Sequence, residues 1–393
     1  MNDTETRLRD YLQTKAATVP GNAEPPGLET SAKRHLWPVL LTAAAIGAVL
    51  VLTVPFLTRL GDPTADPAKP APGLTVPYYL TDPDKEQSTL HDGARTVAMP
   101  SNVSRLEGRV AGGWAASLAA ERPGGGRMQQ PGMLKQDGKV RSFGPKDSRY
   151  LTLSPDRRQL ATAEPLGGGK TRVATYDVAS GRQLKSVTLP HLTTVIYGWN
   201  KDGVWLAEDY KVGSQPMVWQ PSTGRLTPLS IPGFDLRLVA RPDSDRVLVQ
   251  VRPQAERWCM QAARLVGGKL VVDREYCGQG GRMVYPTISA DGGTLLLGEQ
   301  RLAVDVATGR QTTLRAPVAI DDLNGPVFED STHVLAVLRN SSATPTRAPT
   351  PVGRNRLLGE LKDRSVYRCD VTNGSCERAM AVPDGQLLTL VQP

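Results

Sequence analysis

Short apolar runs rich in Val, Leu and Thr alternate along most of the chain with turn signals built on Gly, Asp and Pro. The clearest turn, Asp-Val-Ala-Ser-Gly-Arg-Gln from Asp177, returns as Asp-Val-Ala-Thr-Gly-Arg-Gln from Asp305. A short Gly-containing connection between two such runs predicts a β-hairpin, because Gly adopts positive φ without a Cβ clash. Looser copies recur along the chain, and the turn glycines are Gly93, Gly138, Gly181, Gly224, Gly268, Gly309 and Gly374.

The turn glycines are regularly spaced, at steps of 41 to 45 residues followed by one step of 65. A period of about 40 to 50 residues in strand-rich sequence is typical of a β-propeller. A second turn in each repeat, such as Ser154-Pro155-Asp156, divides the repeat into four strands. We therefore predict an all-β fold, a seven-bladed β-propeller over residues 76–393. Six or eight blades are the alternatives, because the 65-residue step between the last two turn glycines can conceal a different number of blades.

The end of the chain predicts how the ring closes. The segment 384–390 resembles the segment 147–153, which is predicted to be the innermost strand of its blade. The chain therefore ends on an innermost strand, residues 387–391, whose three partners must come from elsewhere. Apolar runs at residues 74–80, 88–91 and 95–99 supply them. One C-terminal strand joined to three N-terminal strands leaves no free sheet edge at the closure.

The long last step contains residues 340–351, a stretch rich in Ser, Thr, Ala and Pro. This composition predicts an exposed loop between the second and third strands of the sixth blade. Such a loop is either a tolerated insertion or a surface that contacts a partner.

The first 75 residues have a different composition. Residues 36–57 carry no charge, and Lys33 and Arg34 stand directly before them. They predict a single transmembrane helix with a cytoplasmic tail, residues 1–35, and an extracellular propeller, so that the protein is a single-pass component of the cell membrane. A cleaved signal peptide is the competing interpretation. Residues 58–75 predict a Pro-rich linker.

The tail itself allows two interpretations. Residues 4–17 have apolar positions at helical spacing, among them Leu8, Tyr11 and Leu12. They fit either a short helix that docks on a cytoplasmic partner or a mostly disordered tail, because an isolated helix of this length is marginal in water.

Two segments carry a resemblance to a known family. Residues 153–161, Leu-Ser-Pro-Asp-Arg-Arg-Gln-Leu-Ala, followed by residues 175–181, Thr-Tyr-Asp-Val-Ala-Ser-Gly, resemble the WD40-like repeat of TolB-type β-propellers. The resemblance covers about residues 76–393, with close copies in the second and fifth repeats, and it implies the fold while saying little about function. The basic-flanked anchor followed by a degenerate propeller resembles membrane-tethered repeat proteins of high-GC, actinobacterial-type bacteria.

Four cysteines lie beyond the predicted membrane segment. Cross-strand pairs of a hairpin have a constant index sum, so Cys369 faces Cys376 and Cys259 faces Cys277. We predict these two disulfides, which suit an oxidising exterior. Metal binding is the alternative, but no Cys-x-x-Cys and no nearby His pair accompanies the cysteines.

The search for catalytic groups is mostly negative. No pair of histidines has metal-ligand spacing, and there is no Gly-x-Ser-x-Gly segment; the four histidines are His35, His91, His191 and His333. Residues 167–171 end like a phosphate-binding loop, but Glu164 stands where the first Gly is needed, which favours an ordinary hairpin loop. Residues 289–294 resemble a sialidase Asp-box without its terminal aromatic residue, which favours a plain blade turn. We predict no catalytic residue, no cofactor and no metal.

Tryptophans are spread over three of the predicted blades: Trp114, Trp199, Trp205, Trp219 and Trp258. Large aromatic side chains between blades usually serve packing. Trp258, beside Cys259, is the one that could instead stack on a carbohydrate.

The net charge of +8 is carried by arginines scattered over the repeat turns, such as Arg157, Arg182, Arg225 and Arg310. No dense basic run occurs, so these arginines predict a solvated surface and no nucleic-acid partner. The favoured function is a membrane-anchored, extracytoplasmic, non-catalytic scaffold that binds a protein or ligand on a propeller face. The alternatives are a transmembrane signalling protein with an anti-sigma-like tail and an extracellular propeller hydrolase or lyase.

Overall fold

Strands and tight turns make up the regular structure of the computed structural model. It describes residues 73–121, 127–190, 194–208, 214–254, 257–279, 286–298, 300–316, 325–339 and 363–392. All of these belong to one compact unit, Ala68–Pro393. The predicted cytoplasmic tail (1–35), transmembrane helix (36–57) and most of the linker (58–75) lie outside the described residues. Among the described residues, which begin at residue 73, no helix is long and apolar enough to cross a membrane.

The first half of the described chain forms fifteen strands. They are β1 (Tyr78–Asp82), β2 (Gln87–Asp92), β3 (Arg95–Met99), β4 (Val103–Val110), β5 (Gly113–Glu121), β6 (Arg127–Lys135), β7 (Val140–Ser142), β8 (Arg149–Leu153), β9 (Gln159–Leu166), β10 (Lys170–Asp177), β11 (Gln183–Leu189), β12 (Thr194–Asn200), β13 (Gly203–Glu208), β14 (Met217–Gln220) and β15 (Arg225–Pro228).

The second half continues the same pattern with thirteen strands. They are β16 (Phe234–Ala240), β17 (Val247–Gln254), β18 (Arg257–Val266), β19 (Lys269–Gln279), β20 (Pro286–Ile288), β21 (Thr294–Leu297), β22 (Leu302–Asp305), β23 (Gln311–Thr313), β24 (Val327–Phe328), β25 (His333–Arg339), β26 (Arg364–Asp370), β27 (Cys376–Ala381) and β28 (Leu387–Leu390).

Four consecutive antiparallel strands are the recurring unit. They build five four-stranded sheets and one eight-stranded sheet. The eight-stranded sheet consists of two such runs, β12–β15 and β16–β19, joined by a single parallel pair between Gly198 and Ala240. Repetition of a four-stranded antiparallel unit in this way makes the protein an all-β propeller.

The predicted closure of the ring is confirmed. Strand β28 pairs antiparallel with β1, and the sheet order is β28-β1-β2-β3. The first N-terminal strand begins at Tyr78 rather than at the predicted residue 74. Pro77 accounts for the boundary because it has no N–H to donate to a neighbouring strand, although its carbonyl still accepts a hydrogen bond from the Val391 N–H.

Apolar side chains pack between neighbouring sheets, on both sides of the closing sheet. One cluster joins its Tyr79 and Leu90 to Trp114 of the following sheet. Another joins its Leu388 to Val366 of the preceding sheet. The closing sheet is therefore held in the ring by burial on both faces as well as by strand pairing.

Residues 340–362, which include the predicted exposed loop at 340–351, lie outside the described part of the chain. The strands on either side of them are β25 and β26, which pair with each other. The insertion therefore falls between the second and third strands of its sheet, at the predicted place.

Candidate functional site: the central channel

The first strands of four successive runs and the closing strand β28 border a cavity of about 320 Å³. Its lining comes from β4, β8, β12 and β16, from the turns that follow β8 and β16, and from the closing strand β28 and the residues after it. Because the inner strands of a propeller face its axis, this cavity is the central channel of the ring. Residues far apart in the sequence meet there only because the ring closes.

An arginine and a glutamate two positions apart on β4 form an ion pair in the channel. Residues i and i+2 of a strand lie on the same face, so Arg105 reaches Glu107 with two parallel hydrogen bonds, Nε to Oε1 and Nη2 to Oε2, each 2.9 Å. Burial raises the pKa of the Glu107 carboxyl, and Arg105 opposes that change. The Glu107 charge in turn raises the pKa of Arg105.

A second ion pair connects two inner turns, those that follow β8 and β16, the first strands of the runs on either side of β12–β15. Arg157 follows β8 and adopts φ of +58°, in the left-handed region that non-glycine residues rarely occupy. Its Nη2 lies 3.2 Å from Oδ2 of Asp243, in the turn after β16. The sequence pattern placed Arg157 among solvated surface arginines. The structure corrects this, because Arg157 lines the central cavity.

Arg241 differs from the other channel arginines because it is buried. Only 2% of its surface is exposed, and its Nη1 donates a 3.0 Å hydrogen bond to the carbonyl of Ile288 on β20. Its Nε has no hydrogen-bond partner among the described residues. Burial lowers the pKa of Arg241, although the Asp243 carboxylate opposes this shift. A buried guanidinium without a carboxylate hydrogen-bonded to it is energetically costly.

In two other repeats the corresponding turn position holds a serine that closes its own turn. Ser154 Oγ accepts a hydrogen bond from the Gln159 N–H at 2.9 Å and donates one to Asp156 at 2.6 Å. Ser289 repeats both bonds, accepting from Thr294 at 2.9 Å and donating to Asp291 at 2.5 Å. The Asp-box-like residues 289–294 are thus an ordinary blade turn, as predicted.

The four predicted cysteines are paired in the structure. Cys259 is bonded to Cys277 and Cys369 to Cys376, and each pair lies directly opposite across its hairpin. Within the described residues, the one group of side chains close enough to share a metal ion is Cys259, Cys277 and Glu275. Because the two sulfurs are bonded to each other, they are not available as thiolate ligands.

The remaining sequence candidates that the structure describes are absent from the channel lining. The ring of His91 stacks on Tyr78 at 4.9 Å, and His333 Nδ1 contacts Asp330 at 3.0 Å. His35 and His191 lie outside the described residues. Trp258 is 4% exposed and packs against Tyr276, so its ring is not accessible for stacking on a carbohydrate. The other four tryptophans, Trp114, Trp199, Trp205 and Trp219, are also buried, in agreement with a packing role.

Residues 167–171 form the turn and the first positions of the next strand in the β9–β10 hairpin. Gly168 and Gly169 both adopt positive φ there, at +73° and +75°. The segment is therefore a hairpin loop, as predicted, and lies between two strands.

The channel charges were missed by sequence reasoning. One signal was present: Arg241 occupies the place of Ser154 and Ser289, directly before Pro242-Asp243, in an otherwise similar turn. Glu107 and Asp243 carried no such signal, because single carboxylates in strands and turns are common.

Comparison with known proteins shows a likeness in fold. No protein-family model matches the chain, and no curated protein matches it. Among solved structures, the β-propeller domain of the Trilobed protease from Pyrococcus furiosus is 16% identical, with a TM-score of 0.50, over 79% of this chain and 98% of that one. The acylaminoacyl peptidase of Pyrococcus horikoshii is 11% identical, with a TM-score of 0.50, over 80% of this chain and 52% of the peptidase.

TolB from Acinetobacter baumannii is 11% identical, with a TM-score of 0.43, over 82% of this chain and 68% of TolB. The likeness to the two structures with a TM-score of 0.50 concerns the fold alone, because identities of 16% and 11% carry no information about activity.

Proposed function

We propose that the protein is a membrane-tethered, seven-bladed β-propeller that acts outside the cytoplasm as a non-catalytic binding scaffold. The blade count follows if the two four-stranded runs of the eight-stranded sheet, β12–β15 and β16–β19, are taken as separate blades. The tether is the uncharged segment 36–57 with Lys33 and Arg34 on its cytoplasmic side. The two paired disulfides suit an oxidising compartment beyond the membrane.

The pairing of charges in the channel is the observation that carries the proposal. Glu107 is the one carboxylate of the cavity lining among the described residues, and it is held by two hydrogen bonds from Arg105. The neighbouring carboxylate, Asp243, contacts Arg157. Burial raises the pKa of Glu107, but both of its oxygens already accept hydrogen bonds from Arg105, and Asp243 is bonded to Arg157. Because each carboxylate is engaged by a guanidinium, the channel suits recognition better than acid–base chemistry.

Topology can be tested with introduced cysteines, since the four native cysteines are bonded. Thr223→Cys places a thiol in an exposed turn of the propeller, and Thr4→Cys places one in the tail. In intact cells a membrane-impermeant maleimide should label the first variant alone, and the second only after permeabilisation. Labelling of Thr4→Cys in intact cells would contradict the proposed orientation. The mass of the mature protein reports whether the anchor is retained.

Partner binding can be tested with the full chain isolated from its native membranes under non-reducing conditions after cross-linking. A version lacking residues 2–32 keeps the anchor and the propeller. The proposal predicts that the same partner is isolated with both versions. A partner that is lost with the tail points to transmembrane signalling and overturns the scaffold function.

A further inference from the structure

We propose that the central channel binds a small molecule through a carboxylate or phosphate group held by Arg241 and Arg157. This inference deepens the proposed function and rests on it, because it assigns the ligand chemistry of the same channel.

Arg241 supplies the first part of the argument. Its side chain is almost fully buried, yet its one hydrogen bond in the described structure goes to a neutral carbonyl, that of Ile288. A buried charge without an opposite charge bonded to it lowers stability, so its presence in a cavity wall is typical of a binding site. An oxyanion placed beside Arg241 would supply both the opposite charge and a hydrogen-bond acceptor.

Arg157 supplies a second cation on the same wall. It lines the same cavity, and the two guanidinium groups are close enough for Arg157 to lower the pKa of Arg241. Asp243 lies near both arginines and contacts Arg157 at 3.2 Å, so a single carboxylate offsets the charge of two guanidinium groups. A second anion shared by the pair would relieve the repulsion between them.

The overall balance of the channel also favours an anion. Arg105, Arg157 and Arg241 face two carboxylates, those of Glu107 and Asp243, which leaves one positive charge in excess among these described groups. This excess disfavours a metal cation. The volume of about 320 Å³ is near the lower end of cavities that hold small ligands. Hydroxyl and amide groups for the rest of such a ligand are present in the lining, at Thr152, Thr389 and Gln392.

The test is isothermal titration calorimetry on the intact chain in detergent, at constant ionic strength with chloride as the background ion. Inorganic phosphate and malonate are titrated separately, and the tighter one distinguishes a phosphate ligand from a carboxylate ligand. We expect saturable binding of one anion per chain. Arg241→Met and Arg157→Gln should each weaken binding at least tenfold. Arg310→Gln, in an exposed outer turn, is the matched control and should bind as the unchanged chain does.

Two results would overturn the inference: no saturable heat with either anion, or equal affinity in Arg241→Met and the unchanged chain. Arg157→Gln keeps the test decisive if Arg241→Met does not fold, because Arg157 is partly exposed in a turn. The scaffold function has its own test, since it is overturned if the partner is lost when residues 2–32 are removed. Absence of anion binding with partner binding retained would therefore reject the channel ligand alone.

Discussion

Nη2 of Arg274 donates a 2.7 Å hydrogen bond to the carbonyl of Ala307, and so joins two neighbouring sheets. Arg274 lies on β19, the last strand of its run, and Ala307 lies in the repeated Asp-Val-Ala-Thr-Gly turn of the next sheet. Arg141 on β7 makes the same bond to Ala179 in the other copy of the turn, at 2.6 Å. The two near-identical turns therefore have two roles. Each forms its own hairpin, and each offers backbone carbonyls as hydrogen-bond acceptors to an arginine of the preceding sheet.

Removal of this link should loosen one junction of the ring. We expect Arg274→Ala to lower the free energy of unfolding by about 1–2 kcal/mol, because two hydrogen bonds from a charged donor to backbone carbonyls are lost. Urea denaturation measures the change. Arg310→Ala, an exposed arginine of the same turn, is the control and should stay within about 0.5 kcal/mol of the unchanged chain. Equal effects of the two substitutions would show that the link contributes nothing.

The closing strand offers a second prediction. Leu388 on β28 is fully buried against the preceding sheet and pairs with Leu80 of β1. Leu388→Ala should cost about 2–5 kcal/mol, since it leaves a cavity at the point where the chain ends meet. Leu387→Ala, on the half-buried neighbour, should cost less. A cost for Leu388→Ala no larger than that for Leu387→Ala would mean that the closure does not support the fold.

The close approach of β12 and β16 depends on a glycine. Gly198 has φ of +149°, and a Cβ atom there would lie 1.9 Å from the carbonyl oxygen of Ala240. Gly198→Ala should therefore force the two runs apart and destabilise the protein by about 3 kcal/mol. Gly167→Ala is the matched control, because nothing lies within 4 Å of its Cβ position. Equal thermal midpoints for both variants would contradict the close contact.

Local sequence signals were sufficient to predict the four-stranded repeating unit. All seven turn glycines identified from the sequence, from Gly93 to Gly374, adopt φ between +61° and +80°, because the requirement for a residue without Cβ is set by the turn itself. The disulfide partners followed in the same way, from their symmetric distance to a hairpin turn. These features depend on residues close in sequence.

The channel could not be predicted on the same basis. Arg105 and Gln392 line one cavity although almost the whole propeller sequence separates them, and only the ring brings them together. Arg157 stands beside the exposed Arg158 in the same turn, so its position facing the axis was not visible in the sequence. The presence of Arg241 in place of a serine was a local signal, and it could be interpreted only once Ser154 and Ser289 were seen to close their own turns.

Acidic pH should weaken the contact between β18 and β19, the two strands at one edge of the eight-stranded sheet. Hydrogen bonds from Arg264, and with them those from Arg246, hold the pKa of Asp273 below its usual value despite partial burial. A carboxyl with a lowered pKa stabilises the fold above its unfolded pKa of about 4, and that contribution is lost as the pH falls below it. Asp273→Asn should cost only about 1 kcal/mol at pH 7, because the Arg264 side chain is 43% exposed and solvent screens the ion pair.

The pH dependence separates this contribution from packing. Thermal midpoints measured between pH 7 and about pH 3 should converge for Asp273→Asn and the unchanged chain as Asp273 becomes protonated. Asp84→Asn, in an exposed turn, should follow the unchanged chain throughout. A constant difference between Asp273→Asn and the unchanged chain at every pH would assign the effect to packing instead of charge.

Reduction should affect the two disulfides unequally. The Cys259–Cys277 bond closes a loop with a sequence separation of 18, and the Cys369–Cys376 bond one of 7. A cross-link restricts the unfolded chain more when its loop is longer, which gives about 3 kcal/mol for the first bond and about 2 kcal/mol for the second. The double replacements Cys259→Ser with Cys277→Ser, and Cys369→Ser with Cys376→Ser, test this by urea denaturation. Adding a reductant to the unchanged chain should lower its free energy of unfolding by about the sum of the two losses, since the two hairpins are separate.

A larger loss of stability from removing the shorter loop would contradict this order. It would show that native contacts around Cys369, which is buried, outweigh the restriction of the unfolded chain.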